Sequence, residues 1–266
     1  MHTKWLSELW RFRELVYFLA WRDVKVRYKQ AVLGVAWAIL QPLVGMIVFT
    51  FIFGRLAGIS SDGIAYPLFS FSALVLWGYF SGVVGQTGQS LVANSNLITK
   101  VYFPRVALPA STVLAGLLDF SIGLGFLVVL MTYYVVREEQ AAPNWTLVWV
   151  PFFLAHLILL TLGVGLLLAA LNVRYRDIKH VVPLLLQMWL FLTPVVYPMS
   201  AIPERFHPLM ALNPLTGIVE GFRACLFSGR QLDPALTAIS LAVTVIVFVV
   251  GLLYFRRTER AFADII

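Results

Sequence analysis

Residues 22–43 read RDVKVRYKQAVLGVAWAILQPL. Four cations, Arg22, Lys25, Arg27 and Lys29, are followed at once by an apolar run that carries Gln41 and Pro42 near its middle. A basic strap set against an oily segment is what a water–lipid boundary asks of a chain. The Gln and the Pro need a further reason. Each leaves a polar group to be satisfied where no bulk water is available.

The composition extends this reading to the whole chain. Of 266 residues, 60% are hydrophobic and 12% charged, and the mean hydropathy is +0.85. A soluble domain is roughly one quarter charged. Apolar runs fall at 31–53, 66–84, 106–136, 147–173, 181–197 and 234–255. A helix needs about 20 residues to cross the hydrocarbon, so these read as six spans, the third long and the fifth short between Pro183 and Pro198. Residues 209–227 are also apolar but contain Asn213, Pro214, Glu220 and Arg223, costly groups at the bilayer centre. They read as re-entrant. The expectation is an all-α integral membrane protein forming a single domain over 1–266. Its parts are a cytoplasmic helix and strap (1–30), a six-span bundle (31–255) and a cytoplasmic tail (256–266).

The cations support that topology. Of the 20 Lys and Arg, 15 lie in 1–30, 85–105, 174–180 and 256–266, and five lie elsewhere. The excess marks the first set, including both termini, as cytoplasmic. The net charge of +7 therefore reads as orientation, not as a nucleic-acid surface. The charged first 30 residues do not read as a cleaved signal peptide. Within them Trp5, Leu9, Phe12, Val16 and Leu19 recur at helical spacing, the pattern of an amphipathic helix over 5–20 lying in the cytoplasmic interface. Residues 22–29 alternate charged and apolar, a strand period, but an open strand edge beside lipid leaves backbone groups unpaired.

Motifs for chemistry are missing. There is no GxxxxGK[ST] phosphate loop, HExxH, CxxC or GxSxG, and the four His and the single Cys225 do not cluster. Asp119 is the one acid inside the spans. It reads either as a coupling charge or as a hydrogen-bond partner for a neighbouring helix. The cytoplasmic connection NSNLITKVYFPRVALP (94–109) holds a short helix with Asn94 and Ser95 at its start and Pro104 beyond its end. Leu97, Ile98, Val101 and Tyr102 form its apolar face, which wants either a partner groove or lipid headgroups. In the connection NVRYRDIKHVVP, Arg174, Arg176 and Asp177 either pair or meet a partner, or form a solvated positive-inside loop.

The string WRDVKVRYKQAVLGVAWAILQPL resembles the opening of the membrane subunits of type-2 ABC exporters, most closely the branch that exports O-antigen, capsule and teichoic acid. The likeness continues in LITKVYFPRVALP, in LNVRYRDIKHVVPLLLQMWLFLTPVVYP and in LNPLTGIVEGFR, and their order covers nearly the whole chain. The resemblance implies a homodimer in the bacterial inner membrane, working with two copies of a separate ATPase. That subunit binds Mg-ATP, and this chain itself carries no cofactor and no catalytic residue. It implies that Asn96, Leu97, Ile98, Lys100, Val101, Tyr102 and Phe103 form the helix that couples to the ATPase, and that 202–227 forms short re-entrant helices at the periplasmic exit.

The implied substrate is a glycan on an undecaprenyl diphosphate carrier. Arg22, Lys25, Arg27 and Lys29, with Arg174 and Arg176, are then candidates for the diphosphate, because Arg forks match phosphate geometry. Anionic-lipid contact explains the same cations. Trp37, Gln41, Trp77, Tyr79, Phe80, Trp189, Phe191 and Tyr197 are candidates for lining the sugar path. The competing explanation is the aromatic belt at the membrane interfaces. Gln41 and Pro42 suit a kinked helix beside a wet path. The alternatives are a type-2 exporter of drugs or haem, an ATP-independent carrier and a membrane-embedded glycosyltransferase. The first usually has larger outer loops, the second more intramembrane charge and the third clustered acids at one face.

Overall fold

A computed structural model describes residues 11–29, 34, 36–138, 145–175, 177–259 and 262. The parts of the expectations that rest on Trp5, Leu9, Ala31 and Arg176 lie outside the described residues. Among the described residues the elements are helical, in ten α-helices with short 3-10 and π segments. They are α1 (Arg13–Lys29), α2 (Ala36–Phe49), α3 (Tyr66–Ala93), α4 (Ser95–Lys100), α5 (Ala107–Glu138), α6 (Val150–Arg174), α7 (Ile178–Leu192), α8 (His207–Ala211), α9 (Pro214–Leu226) and α10 (Pro234–Thr258). Five segments are long and apolar enough to cross a membrane. They begin at Ala36, Tyr66, Ala107, Trp145 and Pro234. α7 is the sixth apolar helix and is shorter.

α3 is the central post. Protein buries 78% of its apolar window, against 6% for the segment starting at Ala36 and 17% for α10. α5 and α6 pack along α3, with α2, α7 and α9 at its remaining sides, and α10 packs outside α6. Lipid tails are as apolar as leucine, so spans associate through close packing more than through hydrophobic drive. The α6–α10 seam shows this. A Cβ at Gly163 would lie 2.7 Å from the Phe248 Cα, and one at Gly251 would lie 2.2 Å from the Gly163 carbonyl oxygen.

Three local expectations change. First, helix α1 does not stop near residue 20. It runs through the strap to Lys29, because helical bonds satisfy the backbone locally where strand edges would not. Its apolar stripe faces protein as well. Val16 and Leu19 are buried in a second cluster with Leu91, Ile98, Phe103, Val106, Phe255 and Phe262, and Phe12 packs against it. Tyr17, Phe18 and Trp21 point outward.

Second, the first span is not α-helical throughout: α2 includes Pro42 and ends at Phe49, and Thr50–Leu56 widen into π-helical turns.

Third, α7 starts at Ile178, passes Pro183 and ends at Leu192. Its 15 residues span about 22 Å, short of the roughly 30 Å hydrocarbon. The remainder, Thr193–Pro198, is irregular backbone almost wholly enclosed by protein. Non-helical chain at membrane depth holds only where its carbonyls find donors. They do. Arg223 donates to the carbonyls of Pro194 (2.6 Å) and Val195 (2.9 Å), the Tyr66 hydroxyl to Val196 (2.6 Å) and the Asn213 amide to Leu192 (3.0 Å). The donors Asn213 and Arg223 come from the re-entrant segment. α9 is therefore the cap of the broken fifth span, and twelve of its 13 residues are buried.

Candidate functional site

A cavity of about 780 Å³ opens between the C-terminal turn of α1, the first half of α2, the middle of α3 and the first half of α5. Trp37, Gln41, Trp77 and Tyr79 line it, with Arg27, Tyr28, Ser81, Gln86, Asp119 and Phe120. Gly78 and Gly82 on α3 present bare backbone to it, and a Cβ at either would meet nothing within 4 Å. A smaller cavity of about 490 Å³ shares Ser81, Gly82 and Gln86 with the first and continues past Gln89 to Lys179 and Pro183. Together they make a partly polar recess in an apolar bundle, lined by α3 from Leu74 to Ala93, the environment that Gln41 requires.

The helical form of the strap sorts its cations. At 100° per residue, Arg22, Lys25 and Lys29 share one side of α1, and Arg27 faces roughly the opposite way. Arg22 pairs with Asp23 (2.8 Å) and donates to Asn94 Oδ1 (3.0 Å). The Lys25 ammonium lies 5.7 Å from the Trp21 ring centroid, and Lys29 is exposed. Arg27 turns into the cavity. Its guanidinium holds Asp119 on α5 and donates to Gln86 Oε1 on α3 at 2.6 Å. The Tyr28 hydroxyl donates to the other oxygen of Asp119. Burial, followed by this bond to a carboxylate, raises the Tyr28 pKa. Asp119 is the twelfth residue beyond Ala107, about 18 Å along the helix.

The other aromatic candidates separate. Phe80 is fully buried, and its ring meets Trp189 edge-on at 5.2 Å. The Trp189 Nε1 donates to Asn213 Oδ1 (3.0 Å). These two lie in the core behind the cavity. Phe191 is exposed on the outer side of α7. Tyr197 donates to the Phe191 carbonyl at 2.8 Å, where the fifth span breaks.

The coupling helix expected over Asn96–Phe103 ends at Lys100, and Val101, Tyr102 and Phe103 follow α4 in non-helical chain; the segment divides its apolar residues. Ile98 and Phe103 are buried in the cluster that holds α1, and Leu97 packs against it. Val101 is 53% and Tyr102 97% exposed, and Asn96 and Lys100 are exposed beside them. Asn94 heads this helix without a side-chain cap bond. Its amide donates to the Ser90 carbonyl, and its oxygen accepts from Arg22. Arg174 lies over the Tyr175 ring, 5.4 Å from its centroid.

A second polar centre sits at the other end of the bundle. Arg223 is fully buried, with its guanidinium carbon 3.5 Å from the Phe69 ring centroid, and donates to the Phe69 carbonyl as well as to Pro194 and Val195. It pairs with Glu220 (3.0 Å). Arg230 then joins Glu220 (2.9 Å) to Asp62 (2.7 Å). Burial lowers the Arg223 pKa to about 10, with Glu220 opposing, so the group is charged at neutral pH. Sequence reasoning used Arg223 and Glu220 only as evidence against a span. It passed over Gln86 and Tyr28, although a Gln just past an apolar run was a visible signal.

A buried cation that holds backbone, a partly polar cavity and a multi-span bundle suit a membrane-embedded transport subunit. A family model described as ABC-2 type transporter matches residues 14–227, and the chain belongs to that family, whose membrane subunits work with an ATPase partner. The chain is 31% identical over 261 residues to the O-antigen export system permease protein RfbA of Myxococcus xanthus, a match covering 97% of this chain and 98% of the relative. It is 29% identical over 254 residues to a protein of the same name from Klebsiella pneumoniae, covering 95% of each. It is 25% identical over 249 residues to the polysialic acid transport protein KpsM of Escherichia coli, covering 90% and 92%.

Proposed function

We propose that this chain is the membrane subunit of an ATP-driven exporter that moves a lipid-linked polysaccharide, carried on undecaprenyl diphosphate, across the bacterial inner membrane. Two copies of the chain pair with two copies of a separate ATPase that binds Mg-ATP, and both termini face the cytoplasm. The observation that carries the reading is the cavity behind the basic strap. It combines one inward-turned guanidinium for a phosphate with Trp37, Trp77, Tyr79 and Gln41, surfaces on which sugars stack and hydrogen-bond. Relatives named for O-antigen export and polysialic acid transport match over nearly the full length, which favours a glycan over a drug or haem.

In this mechanism Arg27 engages the diphosphate at the cytoplasmic side, and Arg22, Lys25 and Lys29 attract it to the strap. The glycan follows along the α2–α3 face. The exposed Val101 and Tyr102 dock on the ATPase, and nucleotide-driven closure moves α4 together with the cluster beneath it.

The test is co-expression with an ABC-type ATPase from the same gene cluster and purification in mild detergent. A two-plus-two complex whose ATP hydrolysis rises with lipid-linked glycan is expected. Val101→Asp should abolish co-purification while leaving the membrane chain monodisperse. A chain that purifies without an ATPase and still moves solute in liposomes overturns the reading.

A further inference from the structure

The cavity contains an anion of its own. Asp119 is the one carboxylate on the described spans, and two adjacent residues of α1 grasp it, Arg27 at one oxygen and Tyr28 at the other. The second Nη of Arg27 is held by Gln86. The guanidinium therefore joins α1, α3 and α5 at one point, and an incoming anion meets an Nη already given to a carboxylate. We propose that Asp119 is a resident competitor for Arg27: a phosphate headgroup entering the cavity displaces Asp119 from Arg27 and so unlatches the C-terminal turn of α1 from α5. This rests on the reading of the cavity as a lipid-diphosphate site.

The chemistry fits an exchange. A diphosphate offers Arg27 the same bidentate geometry as a carboxylate, with more charge. Both Arg27 and Asp119 are about 30% exposed at the side chain, so the pair sits at a mouth that a headgroup can reach. Once displaced, Asp119 keeps only the Tyr28 hydroxyl and faces the diphosphate as a like charge. That repulsion limits the affinity and favours departure, which a transport site requires. The same helix reports the exchange. Arg22, five residues before Arg27, donates to Asn94, the residue that precedes α4, and Val16 and Leu19 pack with Ile98 and Phe103. α1 thus connects the cavity to the segment with the exposed Val101 and Tyr102.

The test uses the chain with its ATPase in nanodiscs free of anionic lipid. Polyprenyl diphosphate is the probe and polyprenol the uncharged control. Asp119→Asn should tighten diphosphate binding about tenfold, Arg27→Gln should weaken it about tenfold, and the double variant should behave as Arg27→Gln. Equal tightening by Asp119→Asn with and without Arg27 indicates general repulsion and overturns the latch, as does no tightening at all. In the unsubstituted chain, hydrogen exchange over residues 24–29 should rise on adding polyprenyl diphosphate and stay unchanged with polyprenol. Bound lipid with no rise overturns the latch without relying on a variant. Inorganic diphosphate should displace the lipid from the unsubstituted chain and from Asp119→Asn alike, because the substitution strengthens the same headgroup contact for both. Failure to displace assigns the binding to the prenyl chain and overturns the exchange. If neither the unsubstituted chain nor any variant prefers polyprenyl diphosphate to polyprenol, the headgroup reading falls and the latch with it. A preference without coupling between Arg27 and Asp119 removes the latch alone.

Discussion

Arg223 shows what a single residue carries in an apolar bundle. Its cation is enclosed by protein, and it supplies donors to three carbonyls from two different helix ends, at Phe69, Pro194 and Val195. The C-terminal end of α7 also favours a positive charge through its dipole, whereas the first turn of α3, which holds Phe69, does not. Replacing Arg223 by Met removes the donors and leaves the carbonyls buried. At roughly 1–3 kcal/mol for each unsatisfied group, the expected loss is on the order of 3 kcal/mol. Lys is no substitute, because one ammonium on a flexible stem does not reproduce the planar fork. The check is the thermal midpoint in detergent. Arg223→Met and Arg223→Lys should both fall well below Glu220→Gln, which leaves the carbonyl bonds intact. Sequence alone placed Arg223 outside a span but did not reveal its partners. Composition records that a charge is present, and only the fold brings Phe69 and Pro194 to it.

At the scale of elements, the helix seams are set by where the chain is small. A methyl at Gly251 would collide with the Gly163 carbonyl oxygen, and one at Gly82 would meet nothing within 4 Å. Gly251→Ala should therefore force α10 away from α6 and lower the thermal midpoint by several degrees, whereas Gly82→Ala should leave it unchanged or slightly raise it through helix propensity. The positions of the long helices were legible in the sequence, because hydropathy over about 20 residues is a strong signal. Their ends were less so. The alternation in 22–29 has the period of a strand, but the chain there is helical, and backbone satisfaction beside lipid outweighs period. Pro183 reads as a boundary, yet α7 passes it and ends at Leu192, just before Pro194. The aromatic candidates divided between cavity and core for a related reason. Trp77 and Trp189 are alike in type and setting along the chain, and only their neighbours distinguish them.

For the whole molecule, the two polar centres lie toward opposite ends of the bundle, Arg27 and Asp119 on the side of the strap and Arg223, Arg230 and Asp62 on the other. The cation excess in the connections predicts which end faces the cytoplasm, and labelling checks it. Cys225 is buried and leaves a quiet background. Glu204→Cys should react with a membrane-impermeant maleimide in intact spheroplasts, and Lys100→Cys only after permeabilisation; the reverse pattern inverts the topology. The broken fifth span also has a consequence for biosynthesis. Pro194 leaves the ribosome 29 residues before the arginine that will hold its carbonyl. During that interval α7 stands in the insertion machinery as a short helix with a raw end, and it cannot settle until the downstream segment folds back over it. Membrane integration of this chain is then not a series of independent insertions. Its fifth crossing waits for residues not yet made, and a polypeptide truncated before Arg223 should fail quality control even though every residue of that crossing is present.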